Sequence, residues 1–268
     1  MRKLPFLVVF IVFFTLFLSS CSGPNRVQYL EDAKNQGDPQ TAEVEWSWEY
    51  EESMGQTNLD LGLRILGPQQ EVLSLTPLSQ GPLIYITLIS QNLQTFQRIP
   101  LTELQNVNFK GLTPGNYHLF ADFKPQGQRA QRQHSTLTLS GSSLTNPRPL
   151  ENTWIFRDDR SLVELIPTPG EPQKNREVEL SFTLKDSQNQ PLKDSLTFTE
   201  GQNILGFLIP SSPSITAQSL INLPSPVQSE PGVFNLKFVP LESGWNRIWI
   251  LYTWQNKTTK ADFWLEVK

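Results

Sequence analysis

The chain has 268 residues, a formal net charge of −4 and 18% charged residues. Its single Cys excludes a disulfide framework and a thiolate metal cluster, because both need several sulfurs. A mildly acidic chain without basic runs is also a poor match for a nucleic-acid binder, because phosphate contacts require clustered Lys and Arg.

The first residues have the parts of a secretory signal. Arg2 and Lys3 form a short positive region, Leu4 to Leu18 is almost entirely apolar, and the small residues Ser19 and Ser20 precede Cys21. The apolar run is shorter than the about 20 residues that span a membrane, which disfavours the alternative of a transmembrane anchor. A second alternative is an ordinary signal with an incidental Cys.

The stretch ending at Cys21 resembles the lipobox of bacterial lipoproteins. The resemblance implies a signal peptide over 1–20, cleavage before Cys21 and a lipid on its thiol that anchors the protein to the membrane. Removal of Arg2 and Lys3 would change the formal charge to −6, so the lipid would have to provide the anchoring. Ser22 follows Cys21. An Asp at this position would resemble a signal that retains lipoproteins in the inner membrane, so in a Gram-negative cell we expect this protein in the outer membrane.

The remaining chain predicts two β modules. Residues 21–41 hold the lipidated Cys and a polar tether with a possible helical turn at 27–34, module 1 covers 42–140, a linker covers 141–151 and module 2 covers 152–268. Apolar residues alternate with polar ones in several short runs separated by turn residues. The pattern predicts an all-β fold of two immunoglobulin-like sandwiches. The alternating apolar positions are Val44, Trp46, Trp48; Leu59, Leu61, Leu63, Ile65; and Val178, Leu180, Phe182, Leu184.

An internal repeat supports the two modules. Phe109-x-x-Leu112-x-x-Gly115-x-x-x-Leu119-Phe120-x-x-Phe123 matches Phe238-x-x-Leu241-x-x-Gly244-x-x-x-Ile248-Trp249-x-x-Tyr252 without a gap. We expect Gly115 and Gly244 to hold hairpin-type turns between two strands.

The second strand of each repeat predicts which face lies in the core. Three core-facing positions are expected in each copy: Leu119, Ala121 and Phe123, and Ile248, Ile250 and Tyr252. Phe120 and Trp249 lie on the opposite faces, which indicates contact with another sheet or module. Independent modules would unfold in two transitions. If the modules pack together, Phe120 and Trp249 are the expected interface.

Three stretches carry a second resemblance. The stretches are Pro82 to Phe96, Leu112 to Pro125, and Val178 to Asp186 with Gln190 to Leu192. Together they resemble a group of bacterial envelope proteins with tandem immunoglobulin-like or cupredoxin-like modules, often associated with heavy-metal or copper handling. Where that family has His-x-His-Pro, this chain has Phe96 to Pro100 without His, and residues 215–219 also lack His. Imidazole is the usual ligand for Cu and Zn, so we predict no metal site and no cofactor.

Few other residues are candidates for chemistry. His118 and Asp122 point the same way on a predicted strand, and we interpret them as an outward polar face; we interpret His134 as a solvated residue. Asp158 and Asp159 indicate an acidic turn, because the alternating carboxylates of a Ca²⁺ loop are missing. The aromatic run over 245–264 indicates a core more than a ligand groove: Trp245, Trp249, Tyr252, Trp254, Phe263 and Trp264.

The sequence therefore predicts a non-enzymatic, extracytoplasmic lipoprotein. Its two β modules would bind or scaffold an envelope protein partner of unknown identity, with no role in nucleic-acid binding. The alternative is an envelope metal (copper) or small-ligand chaperone, which the missing ligands oppose.

Overall fold

A computed structural model describes residues 42–53, 56–78, 81–140, 151–192, 204–212 and 214–268. The predicted signal peptide, Cys21 with its tether and residues 141–150 of the predicted linker lie outside this part of the chain. Within it there are sixteen strands and no helix, so the predicted all-β class is confirmed. We use module 1 for 42–140 and module 2 for 152–268.

Module 1 contains two packed sheets. Sheet 1 has the strand order β1-β2-β5 and sheet 2 has the order β4-β3-β6-β7, with all neighbours antiparallel. A core of buried apolar side chains from both sheets lies between them. The strands are β1 (Glu43–Ser53), β2 (Gln56–Leu66), β3 (Ile84–Ser90), β4 (Phe96–Leu101), β5 (Val107–Leu112), β6 (Gly115–Phe123) and β7 (Gln131–Leu139).

Module 2 repeats this arrangement. Sheet 3 has the order β13-β14-β10-β9-β8 and sheet 4 the order β12-β11-β15-β16, and a second core fills the space between them. The strands are β8 (Ile155–Arg157), β9 (Ser161–Thr168), β10 (Val178–Asp186), β11 (Ile204–Pro210), β12 (Ile221–Asn222), β13 (Val227–Glu230), β14 (Val233–Phe238), β15 (Gly244–Trp254) and β16 (Lys257–Val267).

The two modules have the same chain path. The first, second and fifth strands of module 1 correspond to β9, β10 and β14, and β4-β3-β6-β7 corresponds to β12-β11-β15-β16. In each module the chain passes between the two sheets several times, as in the Greek-key sandwiches of the immunoglobulin type. Strands β8 and β13 extend sheet 3 at its two edges. The predicted fold of two immunoglobulin-like sandwiches is confirmed.

The apolar alternation correctly places the core faces of the central strands. Leu59, Leu61 and Ile65 of β2 are fully buried, as are the four alternating residues of β10. On β1 the alternation predicts the face but not its burial. Val44 is 8% exposed, whereas Trp48 is 42% exposed, because β1 is the edge strand of sheet 1.

The repeat marks equivalent strands, but the turns at its glycines are not hairpins. Strand β5 belongs to sheet 1 and β6 to sheet 2, so Gly115 begins a strand that has crossed to the opposite sheet; Gly244 does the same between β14 and β15. The prediction of hairpin-type turns was wrong for this reason. The conformational requirement does hold, since φ is 144° at Gly115 and 102° at Gly244.

Candidate functional site

Sheet 2 of module 1 packs face to face on sheet 4 of module 2. Phe120 and Trp249, predicted from the repeat to face another sheet, are both fully buried in this contact, and the prediction is confirmed. The two modules therefore share a third core, the inter-module cluster. Its buried members are Ile89, Leu93, Phe96, Phe120, Phe207, Ile209, Ile215, Leu220, Trp249 and Trp264.

Aromatic rings form the centre of the inter-module cluster. The ring of Phe96 stacks on Trp249 with centroids 4.8 Å apart, and its centroid lies 5.2 Å from that of Phe207. Full burial of one large apolar side chain stabilises a fold by about 1.5–3 kcal/mol. Because several such side chains meet here, separating the modules would expose a large apolar surface.

A buried ion cluster lies beside these rings. The Asp122 carboxylate accepts bonds from Nε and Nη2 of Arg132 and, at 3.0 Å, from Nη1 of Arg98. Arg98 also donates to Thr87 Oγ1 at 2.7 Å, and its guanidinium carbon lies 4.0 Å from the ring centroid of Tyr85. All three charged side chains are at most 12% exposed, and two cations share one anion.

The electrostatics of this cluster favour the charged forms. Burial would raise the pKa of the Asp122 carboxyl, but the charges and hydrogen bonds of Arg132 and Arg98 outweigh burial and hold the pKa below its usual range. Burial lowers the pKa of Arg98 to about 10, against the opposing effect of Asp122. Asp122 and Arg98 are therefore ionised at neutral pH.

Polar contacts from this region cross between the modules. Arg132 donates to the backbone carbonyl of Leu220 and, at 3.0 Å, to Oδ1 of Asn222. Lys260 Nζ donates to the backbone carbonyl of Phe96 at 3.1 Å. These directional bonds fix how sheet 2 is oriented on sheet 4, which apolar packing alone does not specify.

The only two histidines of the chain meet on sheet 2. His118 Nδ1 and His134 Nε2 are 3.1 Å apart, and the ring centroids are 5.3 Å apart with an interplanar angle of 24°. The centroid separation exceeds the nitrogen separation by roughly two ring radii, so the rings meet edge to edge through one N–H···N bond. The ring of His134 also contacts Phe120, with centroids 4.9 Å apart.

Both imidazoles are held in the neutral form. Burial and, to a smaller extent, the charge of His134 lower the pKa of His118 to about 4. Burial also lowers the pKa of His134. At neutral pH one ring therefore donates and the other accepts, whereas protonation of both would leave two donors facing each other.

Two interpretations of these residues were wrong. His118 and Asp122 share one face of β6, as expected, but that face is not an outward polar surface; each residue is only 9% exposed. They also bond to different partners and not to each other. His134 is half-buried and bonded rather than solvated. Module 2 reaches the Asp122 cluster, because Arg132 bonds to Leu220 and Asn222, and no local pattern in the sequence indicates this cover.

Two other interpretations are confirmed. Asp158 stabilises a turn, accepting bonds from the backbone N–H groups of Arg160 and Ser161. The aromatic residues of 245–264 lie largely in hydrophobic cores. Tyr252 and Phe263 belong to the core of module 2, and Trp249 and Trp264 belong to the inter-module cluster.

One structural residue was missed in the sequence. Tyr117 Oη donates to the backbone carbonyl of Thr113 at 2.6 Å and accepts from the N–H of Thr113 at 3.1 Å. A Tyr that bonds back to the chain between two sheets is a feature of immunoglobulin-like sandwiches, so its position two residues after Gly115 could have identified it. In module 2, Asn246 lies at the position equivalent to Tyr117, two residues after Gly244. Its Nδ2 donates to the backbone carbonyl of Gly244.

Metal-ligand groups, surface depressions and membrane-spanning helices are further features to consider among the described residues. Within them, no three side chains of His, Cys, Asp or Glu gather in a group that could hold a metal ion. A depression of about 220 Å³ is lined by Ser90, Asn92 and Tyr117 among others, which is below the size of usual ligand pockets. None of the described segments forms a helix with the length and apolar character needed to cross a membrane.

Comparison with known proteins shows only distant structural similarity. No family model matches the chain, and no curated protein matches it. The Escherichia coli adhesin FdeC is 13% identical with a TM-score of 0.28; the match covers 85% of this chain and 64% of the adhesin chain, less than two thirds of its length.

Two further solved structures are similar at the same low level. A red sea bream transglutaminase is 9% identical with a TM-score of 0.24, over 93% of this chain and 34% of the enzyme. The fibronectin(III)-like modules of Clostridium thermocellum CbhA are 11% identical with a TM-score of 0.23, over 84% and 94% of the two chains. At these TM-scores, the names of the matched proteins carry no argument about the activity of this chain.

Proposed function

We propose that the protein is an extracytoplasmic lipoprotein, anchored through a lipid on Cys21, that binds or scaffolds a partner without catalysis. The observation that carries the proposal is the inter-module cluster, which joins two sandwiches into one unit through Phe96, Phe120 and Trp249. A rigid unit of this kind presents its outer sheets in a constant orientation, which suits a binding or scaffolding role.

The buried polar groups support a non-catalytic role. Asp122 is occupied by two arginines, and the two histidines bond to each other. A general base must reach a substrate proton and accept it. A buried carboxylate that already accepts bonds from two arginines does neither. The ion cluster of Asp122 therefore serves the contact between the modules, to which Arg132 contributes through Leu220 and Asn222.

The anchoring is tested at Cys21. Replacement by Cys21→Ala removes the only thiol of the chain, so we expect the protein to leave the membrane fraction or to remain an unprocessed precursor. Palmitate labelling and fractionation of cells that express the full chain measure this, with Ser22→Ala as the control. A Cys21→Ala protein that is correctly processed and still retained in membranes would contradict lipid anchoring.

One observation favours the alternative function of a metal chaperone. The nitrogens of His118 and His134 are 3.1 Å apart, which is close to the spacing of two ligands on one Cu or Zn ion. Among the described residues, no third His, Cys, Asp or Glu joins the pair to form a metal-binding group, which opposes this alternative. Titration of the full-length protein with Cu²⁺ or Zn²⁺ separates the two functions, because tight stoichiometric binding that is lost in His118→Gln would favour the chaperone.

A further inference from the structure

The edge of sheet 1 combines three features that the fold itself does not require. The first is an unpaired strand edge. Strand β1 is the last strand of sheet 1, and among the described residues no backbone hydrogen bond reaches its outer side. Such an edge presents a row of free N–H and C=O groups that can pair with another strand.

The second feature is a pair of exposed aromatic residues. Trp48 and Tyr50 are 42% and 41% exposed, although they lie opposite the fully buried Leu61 and Leu59 of β2. They are two residues apart and therefore share one face. Tyr50 Oη bonds Ser140 Oγ at 2.7 Å, which holds the ring at the edge of the sandwich.

The third feature is uncompensated negative charge on the other face of the same strand. Glu49 lies directly opposite Asp60, a like-charge pair that destabilises a sheet. In the described part of the chain, Glu45 pairs with Arg64, but no cation lies within ion-pair distance of Glu49, Glu51 or Asp60. A positively charged partner would relieve this repulsion.

Edge protection explains only part of this arrangement. Charged residues on edge strands prevent unwanted pairing, and the glutamates of β1 fit that role. Protection does not require exposed Trp48 and Tyr50, which add apolar surface at the same place. Pairing with a second copy of the chain would bring two acidic rows together, so the charge disfavours self-association and favours a basic partner.

We propose that β1, from Ser47 to Glu51, binds an extended segment of a partner protein by β-strand addition. The partner segment alternates basic and apolar residues. Because side chains alternate along a strand, its apolar residues lie beside Trp48 and Tyr50 while its Lys or Arg residues lie beside Glu49 and Glu51. This rests on the proposed binding function and specifies its surface and its partner class.

The probe is a labelled peptide of about ten residues that alternates Lys and Val. Fluorescence anisotropy with the full-length lipoprotein in neutral detergent measures binding at low and high salt. We expect saturable binding that weakens with salt. A peptide alternating Glu and Val should not bind, and a peptide of the same composition with its Lys clustered at one end should bind at least about tenfold more weakly.

Two variants test the two faces separately. Trp48→Ala and the double variant Glu49→Gln/Glu51→Gln should each weaken binding about tenfold or more. The double variant changes only exposed side chains, so it remains informative if Trp48→Ala fails to fold. The controls are Ile155→Ala, at a 61% exposed residue of module 2, and Glu151→Gln/Glu171→Gln, at exposed carboxylates of 151–192.

Several results would overturn the proposal. These are no saturable binding of the Lys-Val peptide, equal binding of the clustered peptide, unchanged binding by the Glu49→Gln/Glu51→Gln protein, or dimers that depend on Trp48 without peptide. Because membrane fractionation of Cys21→Ala is a separate measurement, failure of peptide binding would leave the lipoprotein proposal standing.

Discussion

At the scale of single residues, the polar part of the inter-module contact depends on Asp122. Among the residues that the structure describes, its carboxylate is the one anion that pairs with Arg98 and Arg132, and both cations are buried. Removing one member of such a cluster leaves an uncompensated buried charge, which costs about 3–5 kcal/mol. The ion cluster of Asp122 therefore constrains how sheet 2 fits on sheet 4 more than it adds to the free energy of unfolding.

The histidine pair predicts acid sensitivity. The pKa of His118 is lowered to about 4 and that of His134 is also lowered, so below the ordinary pKa of about 6.5 the unfolded chain binds more protons than the folded one. The stability from the neutral pair is fully present above about pH 6.5 and is lost as the pH falls toward 4. Each proton contributes at most about 1.4 kcal/mol per pH unit, less where solvent reaches the pair.

Urea unfolding at about pH 7.5 and about pH 5 measures this effect. We expect a lower midpoint at the acidic pH in the natural protein and a smaller decrease in His118→Gln and His134→Gln. Asp122 titrates below the usual range of a carboxyl and so does not contribute to this window. An equal decrease in the natural protein and both variants would show that the pair does not sense pH.

At the scale of secondary-structure elements, strands could be predicted from the sequence better than their connections. Period-2 alternation places Leu180 and Phe182 in a core because every second side chain of a strand faces one way. The run from Leu112 to Gly115 gives no such information, since a turn within one sheet and a crossing between two sheets use the same residue types. Partner choice is decided by distant residues.

The glycines that begin β6 and β15 give a prediction about these crossings. A Cβ added at Gly244 would meet no atom within 4 Å, but φ is 102°. A substitution there would therefore destabilise the fold through backbone strain and not through a steric clash. We expect Gly244→Ala to lower the free energy of unfolding by about 1–3 kcal/mol.

The matched control is Gly170→Ala, which also adds a methyl group in open space but without a positive φ. That change should be neutral or slightly stabilising, because it restricts the unfolded chain. Equal effects of the two substitutions in urea unfolding would show that the conformation at Gly244 carries no cost.

At the scale of the whole molecule, the contact between the modules could be predicted from the sequence only in part. The repeat identifies Phe120 and Trp249 as facing away from their cores, and both lie in the contact. The polar members were misread because an isolated sandwich would leave the outer face of sheet 2 in water. Asp122 and Arg132 are interior residues, and the bonds of Arg132 to Leu220 and Asn222 show that module 2 reaches them.

The shared cluster predicts that the two modules unfold together. Modules with separate cores and a solvated contact would show two thermal transitions, whereas unfolding one module here exposes the aromatic face of the other. We expect one calorimetric transition. Ile86→Val in the core of module 1 and Ile250→Val in the core of module 2 should each cost about 0.5–1.5 kcal/mol and shift that same transition downward.

The decisive comparison uses the cluster itself. Trp249→Ala removes the ring that stacks on Phe96 and should cost about 3–5 kcal/mol, enough to weaken the coupling between modules. In a Trp249→Ala background, we expect the transition to broaden or split, with Ile86→Val and Ile250→Val then affecting different parts of it. Two transitions in the natural protein, each moved by only one of the Ile→Val changes, would mean that sheets 2 and 4 do not pack as one unit in solution.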